Sequence, residues 1–259
     1  MSVTAAAIRA GLDAVALKPT EVDLRAATTL PAGLDVVVDD EGRADRPDPA
    51  ALRTLAADRG VRLTTPVRVD GYDPLGDDSA LDGLPDGVGR VVVAGNTDYM
   101  AEHEAARGYA SRLRAARAAD PDAWVGTEGV ERVALAVGGT QFDLFAPTTT
   151  RAVRALRDAG FTEGVAVYVP VVFEDGEDAI LDAVGAYAAR RRPVARALPA
   201  DAPTDASATG RAREVLSKAA RDYALVGPTD EVRERVGALR EAGVDTVVGY
   251  AAAGLDDLR

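Results

Sequence analysis

The chain has 259 residues, with 42 acidic side chains against 30 basic ones for a formal net charge of −12, and 47% of it is hydrophobic. That much apolar side chain fills a core and excludes wholesale disorder, while the charge argues against a nucleic-acid or anionic-membrane surface. With no cysteine and only His103, the chain excludes disulfides, thiolate-held metals, a thiol nucleophile and any multi-histidine metal site.

Short β-branched runs alternate with Ala/Leu/Arg-rich stretches. Asp13–Lys18 reads as the first strand, closed by Pro19, and Leu34–Asp39 as the second. A helix over 49–59 follows, stopped by Gly60 as a left-handed C′ residue stops a helix. Val61–Thr65 is the third strand and Gly89–Gly95 the fourth, with a long helix from about Asp98 to Ala119. The apolar run Val133–Val137 is read as the fifth strand, ending in Gly138-Gly139, before a helix over 148–159. Gly164–Val169 is the sixth, trailed by a helix over 177–191. Tyr223–Val226 is the seventh, between helices over 210–221 and 230–242, and Thr246–Tyr250 the eighth.

Several of these runs are apolar without alternation, the pattern of parallel strands covered on both faces. Helices stop at Gly60, Gly160 and Gly243, each just before a strand. Eight strands with intervening helices in this length predict a single (β/α)8 TIM barrel spanning 1–259. An open doubly wound sheet is the competitor, but no strand leads into G-x-G-x-x-G and a helix. Two segments stand apart. Residues 69–88 read as an irregular excursion, and 198–210, small, polar and proline-punctuated, as a mobile loop. No stretch approaches the roughly 20 apolar residues that span a bilayer, and no secretion signal opens the chain, so the expectation is cytoplasmic, with no membrane partner.

In such a barrel, sites form where strands end and βα loops begin. That rule selects Lys18, Asp39, Asp40, Thr64, Thr65, Asn96, Gly138 to Gln141, Tyr168, Gly227 to Thr229 and Tyr250. Lys18 is one of two lysines and stands at a strand end, where an amine can form a Schiff base or hold an anion; a drifted surface lysine is the bland account. His103 offers an acid/base group near a helix start, or is an exposed helix histidine. Gly138-Gly139-Thr140 lets backbone N–H groups approach an anion, or is a tight turn. Gly227-Pro228-Thr229 opens a helix whose Asp230 and Glu231 already complement its dipole, which favours capping over phosphate binding.

The stretch Tyr223-Ala-Leu-Val-Gly-Pro-Thr-Asp-Glu-Val … Glu-Ala-Gly-Val-Asp-Thr-Val-Val248 resembles the C-terminal part of luciferase-like monooxygenases, whose last βα unit reads Gly-(Thr/Ser)-Pro-Glu-Glu-Val before a helix ending Ala-Gly-Val-Asp. Val167–Ala179 adds weaker similarity. The N-terminal half carries no motif of that family. The resemblance implies a luciferase-like barrel and hydride transfer between coenzyme F420 or reduced flavin (FMN) and a small organic substrate. Lys18 and His103 are then candidate catalytic groups, and Thr64, Asn96, Gly138, Gly139, Thr140, Tyr168 and Gly227 candidate cofactor contacts; no metal is expected. Two alternatives stay open: a cofactor-free lyase or aldolase using Lys18, and a non-catalytic small-molecule-binding barrel. Loss of the cofactor stands level with its retention. The expected partner is a small molecule, with no nucleic acid, and a homodimer is left open.

Only Lys18 and Lys218 are lysines, leaving 28 arginines, and the acids divide into 29 Asp and 13 Glu. This usage resembles that of haloarchaeal proteins; a GC-rich genome explains the missing lysines but not the acid excess. Like charges repel over about 30 Å at 0.01 M salt and over only about 3 Å at 1 M. Molar salt is therefore expected to raise the melting temperature, with potassium and sodium nearly equivalent. A melting temperature unchanged between those concentrations would remove the halophilic reading.

Overall fold

The computed structural model describes residues 5–41, 45–66, 84–93, 109–126 and 131–258. Nine parallel strands are β1 (Ala14–Leu17), β2 (Asp35–Val38), β3 (Val61–Pro66), β4 (Val88–Val93), β5 (Trp124–Gly126), β6 (Gln141–Leu144), β7 (Val165–Val172), β8 (Leu225–Val226) and β9 (Thr246–Ala251). β1 to β7 pair in sequence order, and β9 pairs with both β7 and β1. This closes an eight-stranded (β/α)8 ring. The two-residue β8 lies outside it, on the far side of β7 from β9, with Val171 opposite Leu225 and Val172 opposite Val226.

Helices join the strands: α1 (Ala6–Arg9), α2 (Pro49–Ala56), α3 (Tyr109–Ala119), α4 (Glu131–Val137), α5 (Thr149–Asp158), α6 (Glu177–Ala189), α7 (Arg192–Ala197), α8 (Gly210–Tyr223) and α9 (Thr229–Glu241). Between β1 and β2 a 3-10 turn over Leu24–Thr29 takes the helix's place. None of the described helices is long and apolar enough to cross a membrane.

The predicted count of eight strands stands, but two of its members do not. Val133–Val137 is not the fifth strand; it belongs to α4. Ala134 and Val137 are buried while Leu135 is 51% exposed, the i, i+3 spacing of a helix rather than the alternation of a strand. The fifth and sixth ring strands are the short Trp124–Gly126 and Gln141–Leu144, which lack a run of β-branched residues. The expected seventh, at 223–226, shrinks to β8 and leaves the ring. Of the excursion expected at 69–88, residues 69–83 lie outside the described residues. The segment 198–210 packs on α6: the N–H of Ala206 donates to Asp182, and the Thr204 carbonyl sits where any side chain at Gly185 would be.

Alternation along the strands sorts their side chains into two cores. Ala14 and Ala16 of β1, Val37, Val91, Phe142, Ala166, Tyr168 and Val248 fill the barrel. Their neighbours Val15, Leu17, Val36, Val38, Val165, Val167 and Val169 face outward, onto Leu52 and Leu55 of α2, Val153 and Leu156 of α5, and Val232, Val236 and Leu239 of α9. Alanines on one wall make room for the rings of Trp124, Phe142 and Tyr168 on the other. At the N-terminal end the column closes with the Arg62 guanidinium 4.3 Å from the Trp124 ring centroid.

The base of the ring repeats one device. Just before β1, the Asp13 N–H donates to the Val247 carbonyl and its carboxylate accepts from the Val247 N–H at 2.7 Å. Just before β9, Asp245 does the same with Val165, at 2.8 Å for each bond. An arginine braces each carboxylate: Arg240 of α9 for Asp13 at 2.8 Å, and Arg157 of α5 for Asp245 at 2.6 Å. Arg157 also donates to the carbonyls of Gly243, Phe161 and Glu163. Hydrogen bonds to charged groups contribute about 1.5–3 kcal/mol each, whereas exposed ion pairs contribute about 0–1. Arg157→Ala is therefore expected to cost about 3 kcal/mol in urea unfolding. Arg211→Ala, which breaks only the exposed pair with Glu214, should stay within about 0.5 kcal/mol. Equal losses for the two would show that the base staple does not carry closure.

Candidate active site at the barrel mouth

At the C-terminal ends of the strands, three loops are tied into one rim. β1 ends at Leu17, and the Lys18 carbonyl accepts from the N–H groups of Glu21 and Val22, both at 3.0 Å. This tight turn folds Glu21 back over the strand end. Its carboxylate accepts from Lys18 Nζ at 3.2 Å and from the Tyr250 hydroxyl. Lys18 Nζ also lies 4.1 Å from the Tyr250 ring centroid, so a carboxylate and a ring face hold the ammonium together. Glu41 accepts from the Thr20 N–H at 2.9 Å, tying the β1 and β2 loops. Thr64 Oγ1 of β3 accepts from the Asp40 N–H at 2.7 Å.

Those ties hold Asp39, the residue that follows β2, inside the mouth. The buried Tyr168 of β7 hydrogen-bonds its carboxylate. Burial pushes the Asp39 carboxyl from its ordinary 3.8 up to about 7; Lys18 opposes the rise, Glu41 adds to it, and the Tyr168 hydrogen bond opposes it again. Tyr168 is pushed well up, first by burial and then by Asp39, and Tyr250 is pushed up by burial and by its bond to Glu21. Both phenols therefore stay protonated, as donors. Their rings stack at 6.0 Å and 14°, and Phe142 meets Tyr168 edge-on. The result is a carboxyl that exchanges its proton near neutrality, beside a phenol donor and an ammonium. Such a pair can give a proton to a substrate oxygen or take one from it.

The end of α6 overlooks this cluster. Burial raises the Tyr187 phenol, to which Asp39 adds. Arg191 donates to the Tyr187 hydroxyl and lies over its ring at 4.5 Å, with Tyr223 at 5.5 Å.

The sequence pattern of one family matches residues 7–258. The chain belongs to the family of unknown function DUF7388. No curated protein matches this DUF7388 member. Among solved structures it is similar to an F420-dependent secondary alcohol dehydrogenase in complex with an F420-acetone adduct, with a TM-score of 0.61 and 13% identity over 93% of each chain. It is also similar to apo-MsnO8, with a TM-score of 0.59 and 16% identity over 93% of this chain and 92% of that one. At these identities the likeness shows the fold alone, and it bears out the single (β/α)8 barrel expected from the sequence.

Of the residues singled out in the sequence, Lys18, Thr64 and Tyr168 meet at the mouth of the DUF7388 barrel. Asp39 and Tyr250, selected by the strand-end rule, join them. Gly138, Gly139 and Thr140 do not follow a strand, as expected, but precede one. Gly138 and Gly139, at φ 70° and 78°, turn the chain from α4 into β6, at the opposite end of the barrel. There Gln141 Nε2 donates to their carbonyls at 3.0 and 2.7 Å, and the Arg117 side chain lies across them. Gly227 follows β8 outside the ring, and its N–H donates to Val172 at 3.1 Å. Asn96 and His103 lie outside the described residues. Glu21, Glu41 and Tyr187 were missed, because their places come from loop folding and a distant helix rather than from a strand end.

Asp39 also makes stability pH-dependent. Between pH 3.8 and about 7 the unfolded chain loses this proton while the folded chain keeps it, so stability falls as pH rises and levels off above about 7. Asp39→Asn keeps an acceptor for Tyr168 without the charge. It is expected to stabilise the protein by on the order of 2–4 kcal/mol at pH 8, the gain vanishing towards pH 4. A difference that is flat with pH would mean that Asp39 ionises normally in the folded protein.

Proposed function

We propose that this chain is a luciferase-like oxidoreductase that moves a hydride between F420 or reduced flavin and a small hydroxyl- or carbonyl-bearing substrate at the barrel mouth. The observation that carries the reading is the pairing of half-buried Asp39 with buried Tyr168, a proton-exchanging group where the strands end. The fold adds support, since a structural neighbour is an F420-dependent secondary alcohol dehydrogenase.

The donor set suits a deazaflavin or flavin ring, whose edge carries carbonyl oxygens. Lys18 and Thr64 would hold that edge, and Tyr250 would wall it. When bound, the group supplies the site that accepts or gives the hydride. The chain's own residues do the rest. As an alcohol carbon gives up its hydride, Asp39 in its ionised form takes the hydroxyl proton, and the Tyr168 donor steadies the oxygen. In the reverse direction Asp39 in its neutral form returns that proton to the carbonyl oxygen. Lys18, held by Glu21 and the Tyr250 ring, supplies positive charge beside the developing oxyanion. Lys18 Nζ is already engaged by the Glu21 carboxylate and the Tyr250 ring, which disfavours the Schiff-base alternative.

The rate of alcohol oxidation is expected to rise with pH through about 7. Asp39→Asn should remove that rise and lower kcat by about 10²–10⁴-fold. Protein from its own host should carry the visible absorption of a bound deazaflavin or flavin. Retention of the full rate and of the pH profile in the Asn variant would overturn the assignment of Asp39.

A further inference from the structure

The one long acid-free basic stretch beside the mouth runs against the chain's overall charge. Residues 183–200 contain no Asp or Glu, yet Arg190, Arg191, Arg192 and Arg196 fall within seven positions of a protein with net charge −12. Arg190 caps the C-terminus of α6, a place that favours one cation by about 0.3–1 kcal/mol, but four exceed what one helix end uses. Some arginines elsewhere pair with carboxylates, as Arg157 does with Asp245 and Arg240 with Asp13. Among the described residues no carboxylate pairs with Arg190, Arg192 or Arg196, and all three are exposed. Arg191 is pinned between the Tyr187 and Tyr223 rings, its Nε buried without a partner.

Their position ties them to the site. Arg191 lies 5.5 Å from the ring of Tyr223, two residues before β8, which pairs with Val171 and Val172 at the mouth end of β7, and the charge of Arg190 is felt by both Tyr250 and Tyr187. Across the mouth stand the carboxyl of Asp39 and the exposed carboxylates of Glu21 and Glu41 on the β1 and β2 loops, which repel an anion. Arg192 and Arg196, four residues apart on α7, share one helix face.

We infer that the Arg190–Arg196 rim is an anion subsite, which receives a phosphate or carboxylate group at the far end of the ligand whose reacting end lies at Asp39 and Tyr168. The ligand is thereby oriented by charge, its neutral ring or alcohol towards Asp39 and Tyr168 and its anion towards α6 and α7. This rests on the mouth being the ligand site and adds the class of ligand, one with an anionic tail. The anion can belong to the cofactor or to the substrate.

FMN and riboflavin differ only in the phosphate, so their affinities measured by calorimetry separate ring from anion. The comparison uses the full chain at the lowest salt at which it stays folded, with inorganic pyrophosphate as a ring-free probe. FMN is expected to bind about tenfold or more tightly than riboflavin, with pyrophosphate competing. The double variant Arg190→Gln/Arg192→Gln should lose that preference and leave riboflavin binding unchanged. Arg9→Gln/Arg53→Gln, the same charge change at the opposite end of the barrel, should keep it. Equal affinity for the two flavins, or a preference that survives in the rim variant, overturns a subsite for the cofactor's phosphate. If neither flavin binds, the flavin reading fails separately, and the rim is read from pyrophosphate alone. A thermal shift in the native chain that disappears in the rim variant then supports a subsite for the substrate's anion, and the absence of any shift overturns it.

Discussion

A parallel ring is stable only if its first and last strands meet in register, and here that seam depends on aspartates placed just before the strands. At the base of a strand, the neighbouring strand presents an N–H that has no carbonyl left to pair with. Asp13 and Asp245 meet it with a side-chain carboxylate while their own N–H groups pair with the same residue, Val247 and Val165 respectively. One residue thus fixes register with two bonds, and an arginine from a surrounding helix neutralises the charge. Both edges of β9 are secured in this way, although it follows the long helical stretch α6–α8.

Closure in turn creates the environment at the other end. Once the ring is shut, Tyr168 is 5% exposed and its hydroxyl hydrogen-bonds Asp39. The carboxyl that meets it is drawn out of water, and its charged form becomes costly. A nearby ammonium would relieve that cost, but Lys18 is shared with Glu21 and the Tyr250 ring. Asp39 consequently titrates near neutrality. Stability held at the base of the barrel supports a strained charge balance at its mouth, where proton exchange is useful.

The insertion between β7 and β9 serves the same site from outside. Leu181, Ala208, Ala212 and Leu216 give it a small core of its own, and β8 hydrogen-bonds it to the end of β7. That anchoring brings the end of α6 beside the end of β7, where Arg191 lies by the rings of Tyr187 and Tyr223.

Much of this architecture was legible in the chain itself. Apolar runs such as Val36–Val38 and Val165–Val169, with left-handed glycines stopping helices at 160 and 243, carry parallel strands and their crossovers in local chemistry; Gly60 is not such a stop, since α2 ends at Ala56 and the Gly60 N–H meets Asp35. Lys18, Thr64 and Tyr168 could be placed at strand ends for the same reason. Local chemistry could not decide whether Val133–Val137 is strand or helix, because a five-residue apolar run fits both and only its neighbours choose which side is covered. With that choice, Gly138 and Gly139 moved from the mouth to the base. Asp39 looked like the start of a solvated loop; its burial comes from Tyr168, 129 positions later in the chain. The sequence by itself determined the strands, the helix stops and the charge of the surface. The tertiary structure alone decided which carboxyl loses most of its water, because desolvation depends on contacts between residues that ring closure brings together from distant parts of the chain.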